Sequence, residues 1–241
     1  MKLLSKAIKI ASVILGLTAP MTSAFADQGN LQPWQLPELT AEWWQWTSSI
    51  PTSVNPVTDA TGDYCMVGQR GSIWFLAGNF TGAPAVTRNC SIPEGATLFF
   101  PVINVVTYNS PNVCGQGPKN LTAKEQQASI KPYIDAAQNL SVKVDGKEVS
   151  RALLRRVQAP PFELALPADN IFVASCSPLT PPGQPAGVYS PAVADGYYVS
   201  LPPLPPLPPG KTHTIHIQGQ SDSFITVDVT YNLTVVPVLL K

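Results

Sequence analysis

The chain has only two histidines, His213 and His216, in 241 residues. It carries no Cys-x-x-Cys pair, no His-Glu-x-x-His, no Gly-x-Ser-x-Gly elbow, no Walker loop and no dinucleotide fingerprint. These absences weigh against zinc peptidases, serine hydrolases and most cofactor enzymes, whose chemistry depends on those spacings. Charge is scarce too, at 12% of residues with a formal net charge of zero. The nearest approach to a basic cluster is Arg151, Arg155 and Arg156, which reads as a solvated face rather than a nucleic-acid footprint. Past the N-terminus no apolar run is long enough to span a bilayer, since Leu233–Leu240 is short and interrupted by Pro237. No nucleic-acid partner and no membrane span in the mature chain are therefore expected.

What is present begins with an export signal. Lys2, Lys6 and Lys9 form a positive leader, Ile10–Ala19 is an apolar stretch of signal-peptide length, and Pro20 ends it. Ala24-Phe25-Ala26 offers small residues at the two positions a signal peptidase reads, so residues 1–26 read as a signal peptide and Asp27 as the mature start. Cleavage removes three lysines and no acid, leaving a mature net charge of −3. The expected localisation is extracytoplasmic, periplasmic or secreted, and the product is expected to be soluble. Cys65, Cys90, Cys114 and Cys176 are an even set in an oxidising compartment, which predicts two disulfides. Three connectivities are open. Cys65–Cys90 with Cys114–Cys176 is favoured, because the first two flank a compact strand-rich segment.

Residues 27–37 read as an extended lead-in, followed by a single domain over 38–241. A short helix is expected after Thr40, which can cap it, with Pro51 closing it. Trp43, Trp46 and Ile50 share one face of that helix and Trp44 points elsewhere. Short β-like runs follow at Ser72–Ala77, Ala85–Cys90 and Thr97–Val102. Thr122 and Glu125 form a capping box ahead of an apolar stripe at Ile130, Tyr133, Ile134 and Ala137, in which Pro132 should kink or break the helix. Val142 and Val144, an Asp145-Gly146 turn and Val149 make a hairpin of the type I′ kind. Residues 175–191 read as a long loop, and Leu201–Pro209 as a polyproline II connector. Thr212–Gln218 and Ile225–Val235 alternate strictly, which demands one buried and one wet face. Together these features predict a mainly β fold: an antiparallel β-sandwich, Ig-like or jelly-roll-like, with two short helical insertions.

One set of residues resembles a known group. Trp43-Trp44-Gln45-Trp46, Ser49-Ile50-Pro51 and Asn55-Pro56 are followed by Asp59 with Thr61-Gly62, Cys65 and Gly68-Gln69. Trp74-Phe75-Leu76 with Gly78, then Cys90, Phe99-Phe100-Pro101 and Asn104, continue the series. This order resembles a group of uncharacterised exported bacterial proteins. The resemblance implies a bacterial origin and brings no activity or functional residue with it.

Candidate chemistry is sparse. His213 and His216 lie three apart on a strand and so face opposite sides, which prevents them from sharing a metal; His213 joins Ile215 and Ile217 and reads as a satisfied, half-buried residue. Asp59, Asp63, Glu94 and Asp195 sit in turn-like contexts where carboxylates could converge as a hydrolase pair, against the plainer reading of Asx-turn and loop acids. Asp59, Thr61 and Asp63 offer alternating oxygens around Gly62 and are candidate Ca²⁺ ligands; no other cofactor is expected. Trp43, Trp44 and Trp46 are the candidate binding residues, because indole faces stack on sugar rings; such a cluster more often pins a helix on a sheet, and if one indole is exposed it is Trp44, which lies off the main stripe. The function expected is a non-catalytic exported binding module for a glycan, an envelope component or a protein. A polysaccharide- or peptidoglycan-acting hydrolase is the first alternative and a structural envelope or matrix component the second.

Overall fold

The computed structural model describes residues 31–81, 83–113, 116–172, 184–221 and 225–238. The signal segment, Cys114 and Cys176 lie outside them. The chain forms two five-stranded sheets. In the first, β1 (Ile73–Phe75) pairs with β3 (Thr97–Tyr108), which pairs with β8 (Gly187–Leu201). The far side of β8 is shared by β6 (Arg155–Gln158) and β7 (Phe162–Leu166). The second runs β2 (Val86–Pro93), β10 (Ile225–Val236), β9 (His213–Ser221), β4 (Ala137–Val144) and β5 (Lys147–Glu148). This is the expected mainly β sandwich, with one correction: the sheets are mixed, because β1 on β3 and β2 on β10 are parallel pairs.

Two cores follow from two covered faces of the first sheet. Leu98, Phe100, Val102 and Val199 pack against Ile215, Ile217, Val229 and Leu233 of the second sheet. On the opposite face Phe99, Ala192, Ala194 and Tyr198 meet α1 (Leu36–Ser49). A strand buried on both faces shows no alternation, and the first seven residues of β3 are all buried. The strands of the second sheet bury one face only: β9 reads strictly buried–intermediate, with His213, Ile215 and Ile217 inside.

Helix α1 starts earlier than its sequence suggests. Pro33–Gln35 is a 3₁₀ turn and α1 begins at Leu36, so 33–37 is helical rather than extended, and Thr40 is buried inside the helix instead of capping it. Proline belongs to the first helical turn, where its missing N–H is no loss, and Pro37 occupies that place. At the other end the fully buried Asn55 closes the helix, its Nδ2 donating to Thr47 O at 2.6 Å and Ile50 O at 2.8 Å. Trp43, Trp44 and Trp46 are 1%, 2% and 7% exposed, so the cluster pins the helix and Trp44, the indole singled out for exposure if any was exposed, is buried with the others. One side chain points to Leu76 and the next toward Tyr198, because the helix lies in a trough with protein on both flanks. An indole covers roughly 150–250 Å²; at about 25 cal/mol per Å² each contributes about 4–6 kcal/mol to pinning α1.

Helix α2 (Ala123–Asp135) begins with the expected capping box: Glu125 N donates to Thr122 Oγ1 at 3.2 Å and Thr122 N to Glu125 Oε2 at 2.7 Å. It passes Pro132 without breaking and ends three residues later, in its last turn. Asp145 (φ 50°) and Gly146 (φ 76°) are both left-handed, as a type I′ hairpin requires. The missed strand is β8. Its N-terminal residues Gly187–Pro191 belong to what reads as loop, and Asp195 lies in mid-strand, 0% exposed, rather than in a turn. Arg156 donates to Asp195 through Nε at 3.1 Å and Nη2 at 2.7 Å, and to Asp135 at 2.6 Å, tying β6, β8 and the end of α2 together. No helix among the described residues is long and apolar enough to cross a membrane.

Candidate functional site

The sandwich is open along one side. Strand β1 covers β3 only from Thr97 to Phe99, so the β3 edge beyond Phe99 has no strand partner among the described residues. Strand β10 joins β2 only from Val229 onward, so Ile225–Asp228 are likewise uncovered on that side. Between these edges lies a crevice of about 730 Å³. Its floor is Trp43 and Trp44, one wall is Pro101, Val102 and Asn104–Val106 of β3, and the other walls are Gly78–Phe80 with Ala83 and Pro84, Ile171–Phe172 and Ile225–Val227.

The floor is rigid. Trp43 Nε1 donates to Leu76 O at 3.0 Å, and the Trp43 and Trp44 rings meet edge to face at 5.0 Å. Tyr198 stacks on Phe99 at 5.3 Å; burial pushes its phenol far above the ordinary range, and Asn104 Nδ2 donates to its oxygen at 3.1 Å. The wall loop is anchored from below by Arg88, which the sequence reading overlooked. Arg88 is 0% exposed on the inner face of β2. It donates to Asp59 O at 2.7 Å, Ala77 O at 2.9 Å, Tyr231 Oη at 2.7 Å and Val57 O at 3.4 Å. The Tyr231 hydroxyl in turn donates to Ala77 O at 2.8 Å, and Phe80 N bonds Val57 O at 2.8 Å. Asn79 spends its own amide on the loop, accepting from Thr81 and donating to Ala83 O. Burying a guanidinium needs every donor satisfied, and here carbonyls and a hydroxyl supply the acceptors.

Among the described residues, none that lines the crevice carries an ionisable acid, base or thiol; the polar side chains there are Asn79, Asn104 and Thr226. The candidate carboxylates lie elsewhere. Asp195 is committed to Arg156 and to Gln158 Nε2 at 3.1 Å. Asp59, Thr61 and Asp63 do come together in one tight turn, but the Asp59 oxygens are already occupied. Oδ1 accepts from Thr61 N at 2.8 Å and Thr61 Oγ1 at 2.9 Å, and Oδ2 from Gly62 N and Tyr64 N, both at 2.9 Å. Burial acts to raise its pKa, but those amides and the hydroxyl outweigh it and hold the carboxyl below its usual value. A calcium ion would have to displace this set, and no cluster of three or more potential metal-ligating His, Cys, Asp or Glu occurs among the described residues. The turn abuts the Cys65–Cys90 disulfide, which forms as favoured.

Trp46 belongs to a second hollow of about 560 Å³, with Phe75 beside it and Glu42, Gln45, Ser49, Arg70 and Ser72 around it. Its Nε1 donates to Val67 O at 2.9 Å, and the Gln69 side-chain amide brackets the Phe75 backbone at 2.8 and 2.9 Å. The candidate tryptophans thus divide between two sites. Of the two histidines, His213 is buried and doubly bonded, Nδ1 to Asp145 at 2.7 Å and Nε2 to Pro205 O at 2.8 Å. His216 lies on the wetter face against Asp228 at 2.9 Å. The sequence reading also missed Phe80, Phe172 and the β3 edge as site components; only the Val86, Arg88, Cys90, Ile92 alternation signalled that Arg88 faces inward. No family model, curated protein or solved structure matches this chain.

Proposed function

We propose that this is an exported, non-catalytic binding protein that takes an uncharged, largely apolar ligand into the crevice between the two open sheet edges. The observation that carries the reading is the lining: its described residues combine four aromatic side chains and several aliphatic ones, and none of them is able to exchange a proton. General acid–base and nucleophilic catalysis need such a group within hydrogen-bond reach, so the hydrolase alternative lacks its machinery here. A concave, mostly apolar, largely preformed cleft is what small-ligand and segment binding use. The N-terminal signal features and the Cys65–Cys90 disulfide support a periplasmic or secreted location.

The test is a titration of the mature chain with the neutral fluorescent probe N-phenyl-1-naphthylamine. A saturable rise at one site per chain, weakened at least tenfold by Ala83→Arg with Tm unchanged, is expected; Ala83 is exposed on the crevice wall. Binding that ignores Ala83→Arg, or no saturable binding, contradicts the reading. A second reading, glycan recognition, is favoured by the hollow at Trp46, where aromatic rings adjoin planar polar side chains suited to sugar hydroxyls. Binding on a glycan array that is lost with Arg70→Ala would support that version, and a blank array would count against it.

A further inference from the structure

We propose that the occupant of the crevice is an extended, uncharged polypeptide segment, which adds to the first sheet as a strand along the β3 edge that has no strand partner among the described residues. This rests on the crevice being the binding site and names the class of ligand it takes.

The argument starts from the phase of β3. In a strand, side chains on one face share the edge to which their backbone groups point. Phe99 faces α1, and its carbonyl points to the outer edge, where it accepts from Leu76 N at 3.1 Å. A bulge between Pro101 and Ile103 then shifts the alternation by one residue. Beyond it Val106 and Tyr108 pack on the α1 side, and Asn104 reaches Tyr198 on that same side. The N–H and C=O of Asn104 and Val106 therefore point to the outer edge, into the crevice. Neither residue's backbone bonds any turn, loop or side-chain group among the described residues. Pro101 fits the same scheme: its nitrogen lies on the outer edge, the place where a strand tolerates proline.

The chemistry of the crevice selects among occupants. A hydrocarbon chain would cover the Asn104 and Val106 backbone groups without satisfying them, and each unpaired group costs free energy. An added strand satisfies them in register, with two-residue spacing, while its alternate side chains meet the indoles on one side and Val227 on the other. The described lining residues bear no charge, and an uncharged segment is the complement to them. Asn104 Oδ1, whose partner amide nitrogen is held by Tyr198, is available to a further backbone N–H.

The test compares a blocked hexapeptide of alternating valine and threonine with its ester-backbone analogue, which has the same side chains and no amide donors. The peptide should bind the oxidised mature chain at one site, and the ester should bind roughly ten- to hundredfold more weakly, the effect of losing two or three backbone hydrogen bonds. Val106→Pro removes an outward donor without touching the β8 ladder, and should weaken the peptide by more than it weakens N-phenyl-1-naphthylamine, which uses no backbone donor. Equal binding of peptide and ester overturns strand addition but leaves the crevice as a site for the neutral probe. Binding of neither ligand removes the crevice reading as well. A dimer in sedimentation equilibrium that Val106→Pro dissociates and the peptide does not would make a second copy of the chain the occupant, against the proposal.

Discussion

Replacing Arg88 by methionine tests the anchoring of the crevice wall, and its cost can be worked from the contacts. Three of the guanidinium's bonds are short: 2.7 Å to Asp59 O, 2.9 Å to Ala77 O and 2.7 Å to Tyr231 Oη. Hydrogen bonds from a charged donor contribute about 1.5–3 kcal/mol each, so the gross loss is about 4.5–9 kcal/mol. Two of the abandoned carbonyls keep another donor, since Phe80 N serves Val57 O and Tyr231 Oη serves Ala77 O; the Asp59 carbonyl does not. Methionine also removes the desolvation penalty of a fully buried charge, which returns about 1–4 kcal/mol. Taking the middle of both ranges, the expected net destabilisation is about 4 kcal/mol. Urea unfolding of the oxidised protein, followed by tryptophan fluorescence and far-UV circular dichroism together, measures it, provided the two probes give coincident transitions. Arg88→Lys should recover little of the loss, because a single ammonium cannot reach acceptors spread over a planar fork. Where the variant remains folded, the Ala77–Phe80 segment loses its tie and binding of the neutral probe should weaken. A loss below about 1 kcal/mol, or any gain, would refute the claim that this arginine holds the wall.

Other consequences are independent of the crevice. His213 bonds acceptors at both ring nitrogens, which requires the imidazolium; burial acts to lower its pKa, but Asp145 and the Pro205 carbonyl outweigh it and raise it. Its contribution is thus complete below the unfolded value of about 6.5 and is lost as pH rises through the raised folded value, so His213→Gln should flatten the Tm profile above about pH 6.5. The Asp59 carboxyl behaves oppositely: its folded pKa is depressed, so its stabilisation holds above about pH 4 and disappears on acidification, and Asp59→Asn should lessen acid sensitivity. Opening the 25-residue Cys65–Cys90 loop with a Cys90→Ser, Cys65→Ser pair should cost about 3.5 kcal/mol by the chain-entropy relation, read from urea midpoints. Gly62→Ala should lower Tm far more than Gly95→Ala. Both positions have positive φ, but a Cβ at Gly62 would meet Asn89 O at 2.5 Å, whereas the space at Gly95 is open.

Features governed by neighbours in sequence were readable before the structure. The capping box at Thr122–Glu125, the Asp145-Gly146 turn, the alternation of β9 and β10 and the opposite faces of the two histidines all depend on period or local chemistry. Features governed by partners far along the chain were not. Strand β8 hides because both its faces are covered and because Asp195-Gly196 imitates a turn. Gly196 is there for a different reason: a Cβ would lie 2.6 Å from Asn104 Cβ and 2.7 Å from Ile103 O, so only glycine lets β3 close on β8. Trp44 looked free because only one helix stripe was assigned to the core, whereas α1 is enclosed on two flanks. The parallel pairing of β1 with β3 carries no local mark at all, yet its three-residue length is what leaves the β3 edge beyond Phe99 without a strand partner among the described residues.

The most direct test is amide hydrogen exchange of the mature chain with and without the valine–threonine hexapeptide. The account predicts new protection at Asn104 and Val106, with slower exchange across Phe80 and Ile225–Val227, while the β9 and β10 ladder beyond Val229 stays unchanged. Protection centred instead on Arg70–Phe75, with the β3 edge exchanging as before, would contradict it.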